Sequence, residues 1–226
     1  MKILVTIISS EKHLDSRIKI IKDTWLKDFS DYLIISDYND QELNTVKVTD
    51  DKTYESAVEK NLKSFVYLYE NYKDFDWFIN VDDDSFVNYK NLIELINTLP
   101  ADEVVKVGCL NIGSAGFGIN YHSGGAGTLF NFKALELLKE IYPSGKYGYY
   151  RESNGDYNSK QTPFADANVG IFCNDNGIEQ IHNELFNPRE PKYWNLTNDI
   201  IKKQITFHYV FGEEFYNIYN IIHEND

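Results

Sequence analysis

Three consecutive aspartates, Asp82-Asp83-Asp84, stand directly behind the apolar run FDWFINV that begins at Phe75. Unit charges a few ångströms apart repel by roughly 1 kcal/mol per pair in water, and several times more in a partly desolvated cleft. A buried strand ending in stacked carboxylates therefore needs a cation. A divalent ion carrying a phosphate ligand meets that need, because Mg²⁺ and Mn²⁺ prefer oxygen donors. The competing reading is a solvated acidic turn. Asp166, ahead of Val169-Gly170, can serve as a general base or as a helix N-cap. Arg17 can grip a diphosphate or lie on the surface. Gly124-Gly125-Ala126-Gly127 lets a backbone approach a ligand closely, or makes a tight bend. His208, inside Phe207-His208-Tyr209, is either a metal ligand or a satisfied core residue, and His122 is a second metal candidate. His13, His182 and His223 read as surface residues.

The elements that must position these groups alternate between strand and helix. Ile3 to Ile8 reads as a buried first strand, and Tyr32 to Ser36 as a second. Between them a helix is predicted over Ser16 to Leu26, with Ile18, Ile21 and Trp25 facing the core. Thr53 is a plausible N-cap for a long helix reaching about Tyr72, with Val58, Leu62, Phe65 and Tyr69 on one face. The strand into the triplet follows, then a helix over Asn91 to Leu99, a strand over Val104 to Cys109 and a helix over Asn131 to Ile141. Gln204 to Val210 reads as a late strand and Glu213 to Ile222 as a terminal helix. Pro143 to Pro163 has no periodicity but carries Tyr147, Tyr149, Tyr150 and Tyr157, which suits an acceptor-binding loop. The pattern predicts a single α/β domain over residues 1–226, with a mostly parallel sheet flanked by helices. Ligands of such sheets bind beyond the carboxyl ends of strands, where Ser9 and the triplet fall. No GxGxxG follows the first strand, so a dinucleotide fingerprint is absent.

Composition narrows the partners. A net charge of -13 opposes nucleic-acid binding. An acidic chain that binds a diphosphate needs a metal and a few placed cations. Tyrosine is abundant, at 17 residues, and offers a flat face and a hydroxyl to ring-shaped polar ligands. No apolar stretch approaches the roughly 18 residues of a membrane span. The chain opens at Met1-Lys2 and enters a strand at once, so no signal peptide is expected. Cys109 and Cys173 form no framework and read as free thiols, which favours a cytoplasmic location.

Taken in order, these blocks resemble the Fringe-type β-1,3-N-acetylglucosaminyltransferases of the β-1,3-glycosyltransferase clan. The resemblance runs through Ser9-Ser10, Arg17 with Asp23-Thr24-Trp25, the segment WFINVDDDSFVN from Trp77, SGGAG from Ser123, Asp166-Ala167-Asn168-Val169-Gly170, and Phe207-His208. It implies a GT-A-like, Rossmann-like fold and an inverting, metal-dependent transfer of a hexose or N-acetylhexosamine from a UDP-sugar to a glycan or glycoprotein. It further implies Asp84 and His208 as ligands of Mn²⁺, with Mg²⁺ the second choice. Asp83 would then meet the donor sugar or ribose, Arg17 the diphosphate, and Asp166 the proton of the acceptor hydroxyl. Ser9, Gly124 and Gly125 complete the implied substrate site. Three departures stand out. Phe164-Ala165 precedes Asp166 where the family carries Pro-Asp, Tyr121-His122 replaces an aromatic–Ala pair, and the anchor of Golgi members is missing. A Golgi-type catalytic domain without its anchor is therefore the alternative location. A sugar-binding module without catalysis, and a two-metal phosphatase or nuclease, are the alternative functions.

Overall fold

The computed structural model describes residues 1–111, 120–147, 162–191 and 196–224. The first half builds β1 (Ile3–Ile8), α1 (Lys19–Asp23), β2 (Tyr32–Ser36), β3 (Thr45–Lys47), α2 (Ser56–Asn71), β4 (Trp77–Asp82), β5 (Phe86–Val87) and α3 (Tyr89–Ile96). The second half adds β6 (Lys106–Gly108), β7 (Leu110–Asn111), β8 (Tyr121–His122), β9 (Thr128–Asn131), α4 (Phe132–Leu138) and α5 (Ala165–Asp175). It ends in β10 (Ile181–His182), β11 (Phe186–Asn187), α6 (Asn198–Ile201), β12 (Thr206–Phe207) and α7 (Glu213–His223).

Seven strands form the main sheet in the order β10-β6-β9-β4-β1-β2-β3. All neighbours pair in parallel except β9, which runs antiparallel to β4 and β6. Strand alternation assigns each residue to a face. Val5, Ile7, Ile79 and Val81 pack on one side with Trp25 and Phe86. Leu4, Ile8 and Phe78 pack on the other with Leu62, Phe65, Leu135 and Phe172. The sheet is thus covered on both faces, which its near-continuous apolar strands require.

Local boundaries differ from the sequence expectation where side chains compete with regular structure. The segment predicted as one helix from Ser16 is a relay: a 3₁₀ turn (Glu11–His13), a π-helical turn (Leu14–Ile18), α1, and a second 3₁₀ turn (Trp25–Asp28). Ile18, Ile21 and Trp25 are nevertheless fully buried, so the apolar spacing was right while the helix type was not. Thr53 does not cap α2; the cap position is Glu55, and the Thr53 carbonyl accepts from the Ser56 hydroxyl instead. On α2, Leu68 rather than Tyr69 completes the buried face, and Tyr69 stacks on Phe132. Asn88 caps α3 and Asn131 caps α4, each accepting from the backbone N–H three residues on. The late strand shrinks to Thr206–Phe207, because the chain turns at Tyr209 with φ 57°. Among the described residues no helix is long and apolar enough to cross a membrane. Tyr149, Tyr150 and Tyr157 lie outside the described residues.

Candidate active site

β1 and β4 end side by side, with Ile8 paired to Asp82. Ser9 and the triplet therefore leave the sheet at one edge, where parallel sheets place ligands. The chain then turns into β5, which pairs antiparallel with β12 through Phe86↔Phe207. That small sheet brings His208 back against the triplet, and the Val210 N–H donates to the Asp84 carbonyl at 2.9 Å. Tyr209 is held in the left-handed region, a strain that a site-building turn tolerates. Its ring stacks on His208 with centroids 3.6 Å apart.

The three aspartates divide into two groups. Asp83 is buried; its carboxylate accepts from the Ser9 hydroxyl at 2.8 Å and from Arg17 Nη1 at 2.5 Å. Arg17 lies 3.7 Å from Asp84 and stacks over the Phe211 ring. Asp82, Asp84 and His208 converge, with their ligand atoms all within 4.8 Å of one another. Asp84 Oδ1 is buried and accepts no hydrogen bond from the described residues; its neighbour is His208 Nε2 at 3.3 Å. Burial and the Asp84 charge push the Asp82 carboxyl up to about 7. Burial would lower the His208 pKa, but the Asp84 and Asp82 charges outweigh it and raise it. Two carboxylates and an imidazole around an unsatisfied buried oxygen fit a hard or borderline divalent cation. Sequence reasoning named Asp84 and His208 but gave Asp82 no role. The signal was not in the local pattern: Asp82 is the last residue of β4 and Asp84 lies in the turn after it, and the turn into β5 brings the two carboxylates together.

The glycine loop closes the other side. Gly125 lies so close to His208 that an added Cβ would stand 2.1 Å from the ring, so no other residue fits there without displacing the imidazole. The Ser85 hydroxyl donates to the Gly125 carbonyl at 2.7 Å and ties the loop to the triplet. Asp166 sits in the first turn of α5, whose cap position is Phe164, so it is not the N-cap. Its carboxylate accepts from the Gly124 N–H at 3.1 Å and the Ala167 N–H at 2.8 Å. Burial raises its pKa, with these N–H donors pulling the other way. A carboxylate at a helix start is favoured by the helix dipole.

His122 is not with the metal-type cluster. It is buried against Lys106, with Nδ1 2.8 Å from Nζ and Nε2 3.0 Å from the Ile181 carbonyl oxygen. Burial and the Lys106 charge push its pKa down to about 2. A second ion pair escaped the sequence reading. Lys60 from α2 meets Asp37, the residue after β2, at 2.7 Å, with both side chains almost fully buried. Lys60, Ser9, Arg17, the triplet and His208 line one cleft of about 210 Å³. Helical spacing alone gave no hint that Lys60 faces inward.

A family model described as Fringe-like matches residues 1–226. The glycoprotein-N-acetylgalactosamine 3-beta-galactosyltransferase 1 of Xenopus laevis is 22% identical, over 99% of this chain and 67% of that protein. The human beta-1,3-glucosyltransferase is 25% identical over 84% of this chain but only 36% of its own length. Among solved structures, a glycosyltransferase involved in glycosylation of the major capsid of PBCV-1 superposes with a TM-score of 0.58 at 11% identity, covering 96% of this chain and 98% of that one. The galactosyltransferase LgtC, solved with donor and acceptor sugar analogues, gives 0.56 at 11% identity, covering 96% and 95%. At such identity these likenesses speak for the fold, which is GT-A. The whole-length family match goes further: the chain belongs to the Fringe-like family of glycosyltransferases.

Proposed function

We propose that one catalytic domain spanning residues 1–226 transfers a hexose or N-acetylhexosamine from a UDP-sugar to a hydroxyl of a glycan or glycoprotein, with inversion. The observation that carries this reading is the nearness of two carboxylate groups joined by the glycine loop, with Gly125 against His208, Gly124 against Asp166, and Asp166 within electrostatic reach of Asp82. Asp82 and Asp84 gather with His208, and Asp166 is held by the Gly124 N–H.

Asp82, Asp84 and His208 would hold a divalent ion, Mn²⁺ or Mg²⁺, which when bound supplies Lewis-acid stabilisation of the departing diphosphate. Arg17, already fixed by Asp83, offers its remaining N–H groups to the diphosphate. Gly124 and Gly125, packed against Asp166 and His208, would meet the sugar through their backbone. Asp166 accepts the proton of the acceptor hydroxyl as its oxygen bonds to the anomeric carbon and the bond to the diphosphate breaks. A single displacement from the opposite face turns an α-linked donor into a β-product. The names of the curated relatives, a 3-beta-galactosyltransferase and a beta-1,3-glucosyltransferase, support a β-1,3 linkage. The free thiols of Cys109 and Cys173 support a reducing, cytoplasmic compartment.

The test is incubation with Mn²⁺ and a panel of UDP-sugars, with and without glycan acceptors, reading UDP release. Acceptor-dependent, EDTA-sensitive release is expected. Binding of UDP without turnover on any donor would favour a non-catalytic module on the same fold.

A further inference from the structure

Two buried titratable groups take no part in the chemistry above. Lys106 on β6 and His122 on β8 are each 2% exposed. Among the described residues Lys106 has no carboxylate within ion-pair distance, which makes its burial costly. Its Nζ donates to His122 Nδ1 at 2.8 Å and to Gln180 Oε1 at 3.3 Å. His122 Nε2–H donates to the Ile181 carbonyl at 3.0 Å, a tautomer that leaves Nδ1 as the acceptor. Two of the ammonium's three N–H donors are thereby used. Beside them lies a small, partly open cavity of about 20 Å³, bordered by Lys106, His122, Asn80, Gly124 and Asp166. It has room for one water and enough polar partners to hold it.

We propose that Lys106 is a positioning residue, a buried cation that stabilises the Asp166 carboxylate across a single water in this cavity while His122 and Gln180 lock the ammonium in place. Its catalytic consequence rests on the reading of Asp166 as the base. Burial drives Asp166 toward its neutral form; the Gly124 and Ala167 N–H groups and the Lys106 charge oppose this. Burial likewise lowers the Lys106 pKa, opposed by Cys173 and Asp166. The other titratable groups within electrostatic reach of Asp166 are Asp82 at the end of β4 and Tyr209 beyond β12. His182 on β10 acts on His122. Lys106 is the buried cation that borders the same cavity as Asp166, and its charge favours the carboxylate alongside the backbone N–H donors.

The experiment is a ¹³C-observed pH titration of the Asp166 carboxyl carbon in the full chain, assigned by its loss in Asp166→Asn. Lys106→Met should move the midpoint up by about one unit, as removal of a nearby opposite charge does. The acidic limb of kcat/KM should move with it. A merely structural lysine would change the melting temperature and leave the midpoint in place. A midpoint displaced by less than about a third of a unit overturns the proposal. Should Lys106→Met fail to fold, the double variant Lys106→Met/His122→Met replaces both buried polar groups and is read the same way. If the midpoint moves but Asp166→Asn retains transfer, the coupling holds and the proposed catalytic role of Asp166 is what fails.

Discussion

The two carboxylate clusters of this site are balanced by different means. At the triplet, Asp83 has Arg17 and Ser9 within the chain, while Asp82 and Asp84 share His208 and leave Asp84 Oδ1 without a hydrogen bond. At α5, Asp166 is met by two backbone N–H groups, and a buried lysine borders the cavity behind it. The first cluster leaves a buried carboxylate oxygen without a hydrogen bond among the described residues, the arrangement a cation site calls for; the second is satisfied within the chain. A group meant to bind a metal must be left unsatisfied by the fold, whereas a group meant to exchange a proton must be held without being neutralised.

The sharpest way to break this contrast is to remove a member of the first cluster. Asp84→Ala and His208→Ala should each abolish Mn²⁺-dependent UDP-sugar binding and leave the fold intact, as read by calorimetry and circular dichroism. Undiminished UDP affinity in EDTA would contradict the division. Next in size is Asp166→Asn, which keeps the acceptor oxygen toward Gly124 but takes no proton. A general base contributes about 10²–10⁴-fold, so transfer should fall at least about a hundredfold while UDP affinity holds. Transfer surviving within about tenfold of wild type would move the base elsewhere.

Gly125→Ala acts on the seam between the clusters. The new Cβ would overlap the His208 ring at 2.1 Å, forcing the imidazole away from Asp84. Displacing a group that orients a ligand typically costs about 10–100-fold in metal affinity, so Mn²⁺ binding followed by electron paramagnetic resonance should weaken by that order. Unchanged Mn²⁺ affinity would mean that His208 is not a ligand.

Much of this was legible in the residues, for reasons that differ by position. The sheet strands β1, β2 and β4 are long apolar runs, and burial on both faces writes such strands plainly. Asp82 to Asp84 stood out as three adjacent charges behind a buried strand, but only together with the other motifs did they outweigh the reading as a solvated acidic turn. Asp166 was singled out by its place ahead of Val169-Gly170 and by the family resemblance; the Phe164 cap position removes the cap alternative and leaves the base as a proposal. The relay of turns from Glu11 to Asp28 was illegible because Ile18, Ile21 and Trp25 satisfy a helical spacing whichever turn type connects them. Lys60 and Lys106 were missed for a common cause. A lysine carries no sequence mark of burial, since its partners, Asp37 and His122, are chosen by the sheet and not by the neighbouring residues.

The smallest effect tests the side of the second cluster through stability. His122 falls from its ordinary 6.5 to about 2 in the folded chain, because burial and then the Lys106 charge disfavour the imidazolium. The unfolded chain still takes up a proton below its ordinary value. A depressed folded pKa contributes stability that is complete above the unfolded pKa and is lost as pH falls toward the folded one. Between pH 7.5 and pH 5 that loss is about 2 kcal/mol. His122→Met removes the site while filling its volume with an apolar chain of similar length. Every other titrating group is shared by the two proteins, so the difference between their pH dependences reports His122. Denaturant unfolding should show the wild-type chain losing about 2 kcal/mol more than His122→Met over this interval. Parallel curves would mean that His122 takes up its proton in the folded state, and that the Lys106 ammonium does not lie against it.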